Sequence, residues 1–157
     1  LRGGAHLGAL AALVAVGLPA RAAPFTGPLT LPETLRGTVQ VPLSGLADGA
    51  NPADTLRDLY PALAACWEVP RGLSPSARAE ITTRFALRRD GSIIGTPRVT
   101  FSAQPSDTRA HRILLDATLA AIRHCTPARI TPALGAAIAG RPIALRFIYQ
   151  GSKGKGV

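Results

Sequence analysis

The stretch 81–101, ITTRFALRRDGSIIGTPRVTF, decides the fold class. Ile81, Thr83, Phe85 and Leu87 alternate with Thr82, Arg84, Ala86 and Arg88, and a period of two predicts a strand with one buried face. Asp90-Gly91 follows, a pair whose tolerance of positive φ at both turn positions reverses the chain in a tight hairpin. The return strand, 92–101, contains Pro97. Proline has no N–H to give to a ladder, so this strand is expected at a sheet edge or with a bulge at that residue.

Helical periods flank the hairpin. In 107–125, Arg109, Arg112, Asp116, Ala120 and Arg123 form a polar or small stripe, while Leu114, Ala117, Ala121 and Cys125 with Leu115, Leu119 and Ile122 fill the opposite side. Ser106 or Asp107 is the expected cap. Upstream, Leu56, Leu59, Tyr60, Leu63 and Trp67 recur at helical spacing, with Asp54 or Asp58 as candidate caps. Pro61 falls inside that pattern, so the helix either kinks there or has its regular part begin at Leu59. Downstream, 126–140 is loop-rich with a helical turn at 133–138, and 142–149 alternates Ile143, Leu145, Phe147 and Tyr149 against Ala144, Arg146 and Ile148. The order is αββαβ. It predicts a small α+β domain at 54–150, with two helices packed on one face of a three-stranded antiparallel sheet.

Outside that domain the pattern changes. Residues 23–53 carry Pro24, Pro28, Pro32, Pro42 and Pro52 with four glycines and sustain no apolar period, so they read as an extended linker whose sole candidate element is a short strand at 38–43. The last residues, 151–157 (GSKGKGV), read as a flexible basic tail. At the other end, Arg2 and His6 precede a 12-residue apolar run, 7–18, which is followed by Pro19 and Ala20-Arg21-Ala22. That run is shorter than the roughly 20 apolar residues of a membrane span. The arrangement predicts an export signal cleaved after Ala22, a periplasmic location and a mature chain without a transmembrane segment, with an N-terminal membrane anchor as the alternative.

Cleavage there would leave 16 basic and 9 acidic residues, a formal charge of +7. Basic chains suggest nucleic acid, but only two lysines occur, both in the tail, and an exported protein seldom meets that partner. The compartment also gives the two cysteines a meaning. Cys66 and Cys125 fall on the expected inner faces of the two helices, and an even count in an oxidising compartment predicts a disulfide, with two buried free thiols as the alternative. Zinc would need more ligands than His124 and two cysteines supply.

Cys66-Trp67 closing a first helix, the hairpin Phe85-Ala86-Leu87-Arg88-Arg89-Asp90-Gly91-Ser92, His124-Cys125 followed by Thr126-Pro127, and the terminal Leu145-Arg146-Phe147 together resemble the C-terminal domain of TolA and TonB cell-envelope proteins, in the form seen in alphaproteobacteria. The resemblance covers about 56–149. It implies a protein-binding module whose partner is an envelope protein such as a Tol-Pal or TonB-system component, engaged in TonB-type domains by adding a strand to the sheet. The sequence has neither an apolar run of spanning length nor an Ala/Lys/Glu-rich stalk. A soluble relative of the domain, without energy transduction, is therefore the expectation.

Enzyme function is not expected from the inventory. The nine carboxylates are scattered without a pair spaced for acid and base work, and no nucleophile elbow, phosphate loop or zinc-protease motif occurs. His111 and His124 read as surface residues of the second helix, and no cofactor is implied. Charge alone leaves an anionic envelope polymer or membrane surface as the other class of partner. Side-chain parity supplies the candidate site: if Phe85, Leu87, Leu145 and Phe147 face the core, Arg84, Arg88 and Arg146 face away, joined by Arg98 if Pro97 does not shift the register.

Overall fold

A computed structural model describes residues 31–44, 51–73, 77–103 and 107–151. The expected export signal at 1–22 lies outside these residues, as do parts of the proline-rich segment and all of the tail beyond Gly151. The described chain runs β1 (Leu35–Val41), α1 (Leu56–Ala64), β2 (Ala79–Leu87), β3 (Ile93–Ala103), α2 (Thr108–His124), α3 (Pro132–Ile138) and β4 (Ile143–Tyr149). Among the described residues no helix is long and apolar enough to cross a membrane.

The fold class is α+β, but the sheet differs from the expected three-stranded antiparallel one. It has four strands in the order β1-β4-β2-β3, with β2 antiparallel to both β3 and β4 and β1 parallel to β4. The added strand comes from the proline-rich segment. Leu35, Val39 and Val41 point into the core, but the position between the first two is Gly37, where a Cβ would overlap the Tyr60 ring. A missing side chain there interrupts the apolar alternation that would have announced the strand. Register is continuous from Leu35 opposite Ile143 to Val41 opposite Tyr149, so β4 becomes a central strand.

Local chemistry accounts for the other elements. Thr55, rather than Asp54 or Asp58, caps α1: its hydroxyl oxygen accepts from the Asp58 N–H at 3.3 Å and donates to the Asp58 carboxylate at 2.7 Å. Asp54 instead accepts from the Thr131 hydroxyl at 2.7 Å, tying the helix entry to the chain before α3. The helix passes through Pro61 and runs on to Ala64, giving up the one hydrogen bond that residue cannot donate. Asp107 caps α2, accepting from the Arg109 N–H at 2.8 Å. The 88–92 hairpin has Gly91 at φ +80°, and the Asp90 carboxylate accepts from both the N–H and the hydroxyl of Ser92. Those hydrogen bonds, the hydroxyl's first, hold the Asp90 carboxyl below its usual range. β3 is an edge strand, and its register against β2 slips beside Gly95 to Pro97, where proline was expected to place an edge or a bulge.

The fully buried large apolar side chains converge on one side of the sheet. Leu59 and Leu63 of α1, Leu114 and Ile122 of α2 and Ile138 of α3 join Leu87, Ile143, Leu145 and Phe147 in a single buried cluster. The hydrophobic effect therefore binds helices to one face alone.

Candidate functional site

Alternation along the strands sends every second side chain to the face without helices. Register across the sheet then sorts these side chains into rows. Arg36 of β1 lies opposite Ala144 of β4, Ala144 opposite Arg84 of β2, and Arg84 opposite Arg98 of β3. The adjacent row is Thr38, Arg146, Thr82 and Phe101. A shallow cleft of about 480 Å³ over the second row is lined by Arg36, Thr38, Thr82, Phe101 and Arg146 and by Glu80 from the row beyond it. Phe101 is 51% exposed there, a large apolar ring left to solvent beside charged groups.

The four arginines expected on this face have different circumstances. Arg84 and Arg98 are exposed and directly opposite one another, a like-charge pair that disfavours the ladder holding it. Arg146 sits in the next row and is ion-paired with Glu80. Arg88 is turned into the hairpin, donating to the Ile93 carbonyl at 2.8 Å and the Ser92 hydroxyl at 3.4 Å. Arg36 and Phe101 belong to the site and were not among the expected residues. Arg36 shares the outward parity of Thr38 and Gln40, opposite buried Leu35, Val39 and Val41, but it lies outside the strand expected at 38–43. Among the described residues none of Arg36, Arg84 and Arg98 has a carboxylate partner.

The opposite side is closed. Cys66, just beyond α1, and Cys125, the cap residue ending α2, form a disulfide with Cα atoms 5.6 Å apart. Trp67 is buried beside it, with its ring centroid 5.4 Å from that of Tyr149 and its indole N–H 3.4 Å from the Thr118 hydroxyl. The Thr118 hydroxyl in turn donates to the Leu114 carbonyl at 2.7 Å, so these two buried polar groups are satisfied in series.

Two other places contain titratable groups. His111 is half-buried rather than a surface residue, with Nε2 3.4 Å from the Ser102 hydroxyl and Nδ1 buried without a partner among the described residues. A larger cleft, about 750 Å³, lies between α1 and the 124–129 segment, rimmed by Asp54, Arg57, Asp58 and His124 over Pro61 and Pro127. Among the described residues no group of three or more His, Cys, Asp or Glu side chains is arranged to hold a metal ion.

Residues 49–151 match the family described as Uncharacterised conserved protein UCP034077. The chain belongs to this family. The stretch shared with the family carries α1 through β4, and with them both cysteines and Arg84, Arg98 and Arg146, while β1 and Arg36 precede it. No curated protein and no solved structure matches the chain.

Proposed function

We propose that this domain is a non-enzymatic, exported protein-binding module of the cell envelope, acting in the manner that its resemblance to the TolA/TonB C-terminal domain implies, with a Tol-Pal or TonB-system component as its partner. The observation that carries this reading is the one-sided sheet. Helices cover one face, whereas the other presents Arg36, Arg84 and Arg98 without carboxylate partners among the described residues and leaves Phe101 half-exposed. Arginine beside an exposed aromatic is the composition of protein-recognition surfaces. The disulfide supports the location, because such bonds persist in oxidising compartments and are rare elsewhere.

Fractionation and crosslinking in intact cells test the proposal together. The mature chain is expected in the periplasmic fraction with Ala23 as its first residue, crosslinked to an envelope protein. Retention in the cytoplasm with residues 1–22 intact, or recovery from intact cells without any crosslinked protein, would overturn it.

A further inference from the structure

We infer that the open sheet face receives an acidic polypeptide segment laid across the strands, its carboxylates on Arg36, Arg84 and Arg98 and an apolar side chain against Phe101. This rests on the reading of the domain as a protein-binding module and adds the surface and the chemistry of the partner.

The geometry of the row is the first argument. Neighbouring strands lie about 4.8 Å apart, so three strand steps from Arg36 to Arg98 cover roughly 14 Å. In an extended chain, alternate residues share a face, and three carboxylates at every second position span about 13 Å. One short segment thus reaches the whole row. Ala144 between Arg36 and Arg84 keeps the path low, and the hydroxyls of Thr38 and Thr82 border it.

Charge then excludes the nearer occupants. Of the segments beyond the described residues, 1–30, 74–76, 104–106 and 152–157 contain no acidic residue, and 45–50 contains Asp48 alone. A single carboxylate cannot neutralise three guanidiniums. A second copy of the cleaved chain brings a formal charge of +7 to a chain of the same charge, and repulsion opposes that docking. An anionic lipid surface presents negative charge to the whole face, but this face holds Glu80 beside Arg146, which such a surface would meet. A peptide avoids that carboxylate by following the row.

The pairing of Arg84 with Arg98 supplies a variant that separates binding from folding. Arg84→Glu replaces a repulsive cross-strand pair by an attractive one, so the fold should gain. Binding should fall. The experiment titrates the isotope-labelled full chain with a short capped peptide bearing glutamate at alternate positions around one leucine, with the same peptide carrying glutamine instead, and with phosphatidylglycerol vesicles.

The expected result is amide shifts centred on Arg36, Thr38, Thr82, Arg84, Arg98 and Phe101 with the glutamate peptide alone. Affinity should drop about ten-fold or more in Arg84→Glu, and also as salt rises from about 50 to about 200 mM. Shifts on another surface, or affinity unchanged in Arg84→Glu, would overturn the inference, and shifts driven by vesicles but not by peptide would assign the face to lipid instead. Crosslinking separates this failure from that of the broader reading. An Arg84→Glu chain that captures the same envelope protein as the parent removes the face and leaves the module; a parent chain that captures none removes the module.

Discussion

The two faces of this sheet are made from the same strands, residue by residue in alternation, yet they do opposite things. Leu145 is fully buried beneath the helices, and its neighbour Arg146 is exposed. Thr83 is buried with its hydroxyl donating to the Leu145 carbonyl at 3.2 Å, while Thr82 and Arg84 on either side point outward. One face holds the apolar cluster, the Trp67 contacts and the disulfide-linked helix ends. The other holds a repulsive arginine pair and an exposed phenylalanine. Stability is thus concentrated on one side, which frees the other to carry groups that a stable sheet would not choose. Such local conflict is what the proposed recognition surface would show in the absence of its partner.

The largest test of this asymmetry is the staple. Cys66 and Cys125 are 59 residues apart, and closing a loop of that length stabilises by up to about 4 kcal/mol through the unfolded state. Changing both to serine should therefore lower the urea midpoint sharply, in a domain whose total margin is of the order of 5 to 15 kcal/mol. A loss below about 1 kcal/mol would mean that the inner face holds together without its cross-link.

Adjacent residues of β4 give the next contrast. Leu145→Ala should cost about 3 kcal/mol, by removing buried apolar atoms and leaving a cavity. Arg146→Ala, one residue on, should cost no more than about 0.5 kcal/mol, because its pair with Glu80 is partly solvated. Equal costs in chemical denaturation would show that both faces support the fold. A smaller effect of opposite sign is expected from Arg84→Glu, a gain of roughly 0.5 kcal/mol from the new pair with Arg98. A loss of stability there would mean that the two side chains do not face each other.

How far the sequence revealed this arrangement depends on whether each signal was local. The hairpin, α2 and β4 keep their periods over many residues, so both their kind and their inward parity were legible. β1 was only partly so, for Gly37 removes one apolar position from its alternation and Pro32 and Pro42 bound it closely. Its parallel pairing with β4, far along the chain, has no local signature at all. The candidate site inherits the same division. Arg84 followed from parity alone, but its opposition to Arg98 needed the register across an irregular ladder, and Arg36 needed β1 in the sheet. Arg88 shows the reverse error. Parity named it as outward, yet the carbonyl of Ile93 and the hydroxyl of Ser92 draw its guanidinium into the turn. Buried Thr118 was hidden as well, since it is satisfied by the Trp67 indole, which comes from a distant part of the chain.

The smallest expected effect is a pH dependence that isolates the inner face. Burial raises the phenols of Tyr60 and Tyr149 above their ordinary range, and the positive charge of Arg141 offsets part of this for Tyr60. Because the folded values exceed the unfolded ones, the contribution is fully present below about pH 10 and is lost as pH climbs through the folded values. Outer-face arginines keep their charge throughout this range, so they add nothing to the slope. Tyr60 separates the share of one residue. Its hydroxyl is buried without a hydrogen-bond partner among the described residues, so Tyr60→Phe should leave the urea midpoint nearly unchanged at pH 7. Above pH 10 the same variant should lose stability less steeply than the parent chain, since one of the two buried phenols no longer resists ionisation. Midpoints that fall in parallel for the two proteins would show that Tyr60 does not titrate from the closed side of the sheet.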